Sequence, residues 1–253
     1  VLRRIRQRFF RSGRFESDAD HYAAATSGPA YRQAWLSIAT HMMGAYDMSI
    51  PALAVLESDL DPRCGGMGNG PRDPAVDWGT TCSVIIALLA GNRIRPAERA
   101  GLLIETMIEA QPDPARMIMR WDPDRGLFDP FPDAPRKGWR LSAGERDQTY
   151  WYIGIALYAL ARLHAATGDA HWLASADRLL DFALACREDF PGNMNTSKLA
   201  WGASQMAVYS HDARYRQLAE EVADWMVESQ HPSGIWIRNP TVHDAESQPI
   251  PIT

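Results

Sequence analysis

From Tyr31 onward, apolar residues recur at helical rather than strand spacing. The pattern predicts helices at about 30–46, 77–91, 95–111, 147–167, 170–187, 195–210 and 213–230. They are of two kinds. Residues 81–90, 151–163 and 199–208 are apolar on nearly every face and need burial all round. Residues 95–111, 171–187 and 214–230 carry charge on one side only. The two kinds alternate along the chain. An inner ring of buried helices wrapped by an outer ring of amphipathic ones satisfies both. The expected fold class is therefore all-α, with repeated helical hairpins forming a complete or partial α/α toroid. Helix is expected to exceed half of the residues, and strand to stay below about a tenth, against usual values of roughly a third and a fifth.

Internal repetition agrees with this. Residues 168–187 align without a gap on residues 211–230, at an offset of 43. Asp169 meets Asp212, Ala170 meets Ala213, Ala176 meets Ala219 and Asp181 meets Asp224. Trp172 faces Tyr215, and Phe182 faces Trp225. The stretch 105–111 (ETMIEAQ) matches 224–230 (DWMVESQ) in character. About three and a half hairpins are visible this way, too few for a closed six-hairpin ring. An incomplete ring, completion by a partner chain or a second copy, and a fragment of a longer toroid all fit that count.

The end of the last outer helix carries a motif. Gln230, Gly234 and Trp236 read QxxxGxW, with Trp225 five residues before the glutamine, and a degenerate version, Arg187, Gly192 and Met194, follows the previous outer helix. This resembles the QW motif of the terpenoid cyclase and protein prenyltransferase toroids. The resemblance spans roughly residues 75–240. It implies that the glutamine caps an outer helix and that Trp236 packs beneath the next turn. Similar PxGxW turns occur in six-hairpin glycosidases and sugar epimerases, which share the toroid shape. The chain has neither the DxDD motif of squalene-type cyclases nor a DDxxD motif, so the cyclases' catalytic residues do not carry over.

Candidate chemistry concentrates where long connections meet inner helices. The longest connection, 112–146, leads into the helix at 147, and long loops of this kind are often functional. Within it, residues 117–121 turn through DPDRG to Leu127 and Phe128, a short hairpin rather than a calcium loop. The inner helices open with Asp77-Trp78-Gly79-Thr80-Thr81, Asp147-Gln148-Thr149-Tyr150-Trp151 and Asn195-Thr196-Ser197-Lys198-Leu199-Ala200-Trp201. Asp77, Asp147 and Asn195 read either as N-caps or as functional groups. Trp78, Tyr150, Trp151 and Trp201 would line a mouth with flat apolar surfaces. Lys198, near the start of a buried helix, opposes the helix dipole and needs either a partner or an outward path. His41 lies in an apolar setting on the first helix, as a core residue or a wall of the site. The expected site thus has Asp77, Asp147 and Lys198 as catalytic groups, with Trp78, Tyr150, Trp151, Asn195, Trp201 and His41 around the substrate.

Composition narrows the classes. A net charge of −5 gives no reason to expect nucleic acid. No stretch approaches the roughly 18 uncharged apolar residues of a membrane span. Nine tryptophans suit an aromatic-lined cavity, and only Lys137 and Lys198 of the 26 basic residues are lysines. Cys64, Cys82 and Cys186 are far apart and unpaired in pattern, which points to a reducing, cytoplasmic setting. His164, His171, His211, His231 and His243 show no metal spacing, and nothing calls for a cofactor. Residues 1–15 carry six arginines and no acid, so 1–28 reads as a basic arm ahead of a toroid domain at 29–253. That arm either packs on the acidic body or acts as an amphipathic surface or targeting segment.

The functional expectation is an enzyme acting on a small molecule. Its leading form cyclises or isomerises a largely apolar natural product, terpenoid or polyketide-like, by acid–base chemistry. The alternative is a carbohydrate-active enzyme, a glycoside hydrolase, lyase or epimerase, with paired acids at the same mouth. A non-catalytic helical-repeat binding protein is the third reading.

Overall fold

The computed structural model describes residues 29–70, 73–129, 139–191, 193, 195–230 and 233–234. The basic arm, Gly192, Met194 and Trp236 lie outside them. Eight α-helices form four hairpins among the described residues: α1 Pro29–Met42 with α2 Tyr46–Ser58, α3 Trp78–Ala90 with α4 Ile94–Glu109, α5 Trp151–Thr167 with α6 His171–Ala185, and α7 Thr196–Tyr209 with α8 Ala213–Glu228. Successive odd-numbered helices pack side by side, and each even-numbered helix covers its odd-numbered partner. The result is an inner row of α1, α3, α5 and α7 behind an outer row. None of the described helices is long and apolar enough to cross a membrane.

Burial follows the two helix types. Every residue of α3 from Trp78 to Leu88 is buried. Helix α4 buries Ala97, Ala100, Ile104 and Met107 and turns its charges outward. The aligned aromatics Trp172 and Tyr215 are both buried at matching places in α6 and α8, so the repeat is structural. Helix α7 departs from the expectation of burial all round: Val208 is 68% exposed, and Ser204 also faces solvent. It packs on α5 and α8 and meets α1 through Trp201 and Lys198, while the face carrying Ser204 and Val208 stays in solvent.

Two helix boundaries differ from the sequence pattern for local reasons. The first helix stops at Met42, because Gly44 takes a left-handed φ of 72° and the Ala45 amide bonds back to the Thr40 carbonyl. Helix α2 then begins at once. It is missing from the sequence reading because Pro51 sits within it, where proline removes a backbone donor. The helix expected from 147 starts instead at Trp151, since Asp147 is itself left-handed, at φ 57°.

Where α5 and α7 cross, the backbones nearly touch. A Cβ on Gly154 would collide with the Lys198 carbonyl, and one on Gly202 would collide with the Gly154 carbonyl. Only glycine permits that approach.

Strands are short and gather at one end of the helices. β1 Gly68–Gly70, β2 Asp73–Asp77, β4 Arg120–Asp122 and β5 Gly126–Leu127 form an antiparallel sheet in the order β1-β2-β4-β5. β3 Arg116–Ile118 pairs with β6 Arg140–Ser142. The β4–β5 turn is the expected DPDRG hairpin, with the Asp122 carboxylate accepting from the Asp124 and Arg125 amides. At the far end of the chain, Gln230 Nε2 donates to the Gly234 carbonyl at 2.8 Å, tying the turn after α8.

Candidate functional site

The sheet positions Asp77. Strand β2 runs directly into α3, so Asp77 is both the last residue of the strand and the N-cap of the helix. Its Oδ1 accepts from the Thr80 amide at 2.7 Å, the capping bond expected from the sequence. Its Oδ2 lies 3.5 Å from the Tyr152 hydroxyl, which donates across from α5. Both side chains are buried. In the β2–β4 register, Asp77 stands opposite Arg120, itself only 5% exposed, whose guanidinium lies 5.0 Å from the Trp139 ring centre. Burial first, and then the Asp77 carboxylate, hold the Tyr152 phenol well above its ordinary pKa, with Arg120 opposing. Tyr152 is therefore a neutral proton donor beside an acid.

An aromatic surface adjoins this pair. Trp151 stacks on Tyr152 at 3.8 Å, and Tyr31 of α1 meets Trp151 edge-on at 6.3 Å. Lys198 of α7 places its ammonium 5.4 Å from the Trp151 ring centre and donates to the Tyr31 hydroxyl at 3.4 Å. About one turn further along α1 and α7, Trp35 and Trp201 face each other at 6.3 Å, and Trp201 stacks on Tyr158 at 3.8 Å. All four inner helices thus contribute from their first turns: Tyr31, Asp77 at the head of α3, Trp151 and Tyr152, and Lys198. The Trp35 indole N–H is buried and finds no acceptor among the described residues, and neither does the Thr149 hydroxyl. Indole donors buried in proteins usually have a partner, so Trp35 is an open hydrogen-bonding position.

The expected site residues separate accordingly. Asp77, Trp151, Lys198 and Trp201 fall in one connected cluster. Trp78 belongs to the core: it is fully buried, and its indole donates to the Tyr152 carbonyl at 3.0 Å. Tyr150 is also core, packed edge-on against Phe190, with its hydroxyl accepting from Gln148 Nε2 at 2.9 Å. Burial chiefly, helped by Cys186 and Asp189, keeps that phenol protonated.

Asp147 is exposed and precedes α5 by a full turn, so it neither caps the helix nor joins Asp77. Its own amide donates to Asp189 at 3.1 Å, and buried Asp189 also receives Gln148 and Asn193. Asn195 makes no side-chain cap and is exposed, because Asn193 takes over, accepting from the Asn195 amide. His41 stands at the opposite end of α1 from Tyr31, about 15 Å away at 1.5 Å per residue. There it bonds Ser49 and packs on Tyr46.

The sequence reading did not find Tyr152, Arg120, Tyr31 or Trp35. Arg120 depends on which strand pairs with which, and Tyr152 on how α5 packs against α3. Tyr31 and Trp35 looked like ordinary apolar positions of a first helix.

Other groups are better explained without a ligand. Cys82 is a fully buried thiol whose pKa is pushed up by burial and then by Asp77. The three cysteines are unbonded. Among the described residues no group of three or more His, Cys, Asp and Glu side chains is arranged to hold a metal ion. A groove of about 430 Å³ runs outside, between α4 and α6, continuing into one of about 220 Å³ beside Glu105 and His171. Its polar groups largely satisfy one another, with Ser175 donating to Glu105 at 2.6 Å and His171 held 2.7 Å from Asp169.

No family model matches this chain, and no curated protein matches it either. Among solved structures, it is similar to the crystal structure of a D-mannose isomerase, with a TM-score of 0.61 at 13% sequence identity. The match covers 83% of this chain and 63% of that one. The fold is that of an α/α toroid. The chain spans less than two thirds of the length of the isomerase it matches.

Proposed function

We propose that this chain is an enzyme of carbohydrate chemistry, an isomerase or epimerase that moves a proton next to a sugar carbonyl. The observation that carries the reading is the buried pair of Asp77 and Tyr152, 3.5 Å apart beside an aromatic cluster. Such a reaction needs a base to take the proton from the carbon beside the carbonyl. It also needs a neutral acid to hold the developing enediol oxygen. Asp77 supplies the first role and Tyr152 the second, with Arg120 balancing the charge. The proton lost from one carbon returns to it on the opposite face in epimerisation, or to its neighbour in isomerisation. No electrons are exchanged.

Flat aromatic faces at Tyr31, Trp151 and Trp201 suit the apolar faces of a sugar ring. The open Trp35 donor and the Lys198 ammonium suit its hydroxyl groups, and an apolar polyene would leave both unsatisfied. Hydrolysis of a glycosidic bond ordinarily takes two facing carboxylates. Among the described residues one carboxylate, Asp77, joins this cluster, which favours proton transfer over hydrolysis. The likeness to a D-mannose isomerase supports the same substrate class and makes D-mannose the first compound to assay.

Asp77→Asn keeps the capping oxygen and removes the base. Tyr152→Phe keeps the ring and removes the acid. Each is expected to lower turnover of the accepted sugar by about 10²-fold or more, with unchanged helical circular dichroism. Full turnover in both variants would remove the pair from catalysis.

A further inference from the structure

We infer that the mouth takes a sugar bearing a negatively charged group, a phosphate or a carboxylate, and that Lys198 selects it. The inference rests on the carbohydrate reading above. Lys198 is one of two lysines in the chain, and it stands on the inner row rather than the outer surface. Its ammonium is positioned by two neutral groups, the Trp151 ring at 5.4 Å and the Tyr31 hydroxyl at 3.4 Å. Those contacts orient the charge without cancelling it, since an aromatic face offers only a weak attraction to a cation.

No carboxylate lies within ion-pair distance of it among the described residues. The acid of the site, Asp77, is engaged with the Thr80 amide and with Tyr152. An ammonium has three donors, and Tyr31 takes one. The side chain is exposed, so an incoming group can reach the other two. A sugar ring lying against Tyr31 and Trp151 brings its substituents beside this ammonium. An anionic substituent there completes the charge pairing that the described residues leave open. A neutral hydroxyl gains much less from the same position.

The test compares D-mannose, D-mannose 6-phosphate and D-mannuronate as substrates of the full chain. It uses the parent, Lys198→Gln and Lys198→Arg, and follows turnover together with the melting shift each sugar produces. At least one charged sugar is expected to exceed the neutral one in kcat/KM by about tenfold, the scale of one charge-assisted hydrogen bond. The phosphate and carboxylate arms identify which group is taken. In Lys198→Gln the ratio of charged to neutral sugar is expected to fall towards one, mainly through KM, and Lys198→Arg is expected to keep most of it. A parent that prefers D-mannose overturns the inference, as does a preference that survives in Lys198→Gln. If no sugar is turned over, the enzymatic reading falls, and the melting shift decides alone. A shift by a charged sugar that disappears in Lys198→Gln supports the anion subsite, and no shift overturns it.

Discussion

Asp77 and Asp147 look alike in the sequence, each an acid ahead of an apolar stretch with aromatic residues, yet the fold gives them opposite duties. Asp77 ends a strand and caps a helix, so its carboxylate is turned inward to Thr80 and Tyr152. Asp147 has a positive φ, which places its carboxylate outside while Asp189 gathers its amide. Glycine adopts that backbone without strain. Asp147→Gly is therefore expected to leave turnover unchanged and the melting temperature unchanged or slightly raised, a result that activity assay and calorimetry can check. A large loss of activity would return Asp147 to the site. Asp189 is the opposite case: the Asp147 and Gln148 amides and the Asn193 side chain all donate to it. Asp189→Ala leaves buried donors unpaired and is expected to cost about 1–3 kcal/mol, read from urea denaturation.

The sequence made Asp77 legible because N-capping is a local matter, decided within four residues. A left-handed residue is not local in that sense, since only the tertiary bonds of Asp189 make its strain tolerable. Tyr152 and Arg120 were invisible for a stronger reason: Arg120 meets Asp77 through the pairing of β2 with β4, and Tyr152 meets it through the packing of α5 on α3, contacts between residues far apart in the chain.

Among the elements, hydrophobic periodicity identified seven helices, and alternation of buried and amphipathic types gave the two-layer arrangement. It missed α2, whose internal Pro51 looks like a break, and it overstated the burial of α7, which only the number of neighbouring helices decides. The crossing of α5 and α7 was legible only as two glycines inside apolar helices. Gly154→Ala and Gly202→Ala each place a methyl group against a backbone carbonyl that has no freedom to move aside. Overpacking of this kind costs about 1–3 kcal/mol or more. Both variants are expected to lower the denaturation midpoint, and Lys198, whose carbonyl is the obstacle at Gly154, is expected to shift, weakening substrate binding. Alanine variants as stable as the parent would show that the two helices lie further apart.

At the scale of the whole molecule, the four hairpins among the described residues leave large apolar side chains in solvent. Leu36, Met42, Met43, Tyr46 and Ile50 are exposed on the first hairpin, and Val208 and Val227 on the last. Exposed large apolar side chains gathered on one hairpin can mark a contact surface. Self-association is the expected consequence, and light scattering at micromolar concentration checks it: a clean monomer, with stability independent of dilution, would contradict it. The toroid shape itself was readable from the repeat of Trp172 and Tyr215 and from the turn at Gln230. The chemistry was not readable in the same way, because a toroid presents the first turns of its inner helices to one mouth whatever reaction it performs.

The activity proposed for the Asp77–Tyr152 pair is the movement of a proton beside a sugar carbonyl. Its most direct test is proton magnetic resonance of D-mannose, and of its 6-phosphate and uronate, incubated with the chain in deuterium oxide. The proton signal of the carbon beside the carbonyl should fade as solvent deuterium enters, or new signals of the isomerised or epimerised sugar should grow. Neither should occur with Asp77→Asn. Spectra that stay unchanged for all three sugars, with a folded protein, would contradict the account.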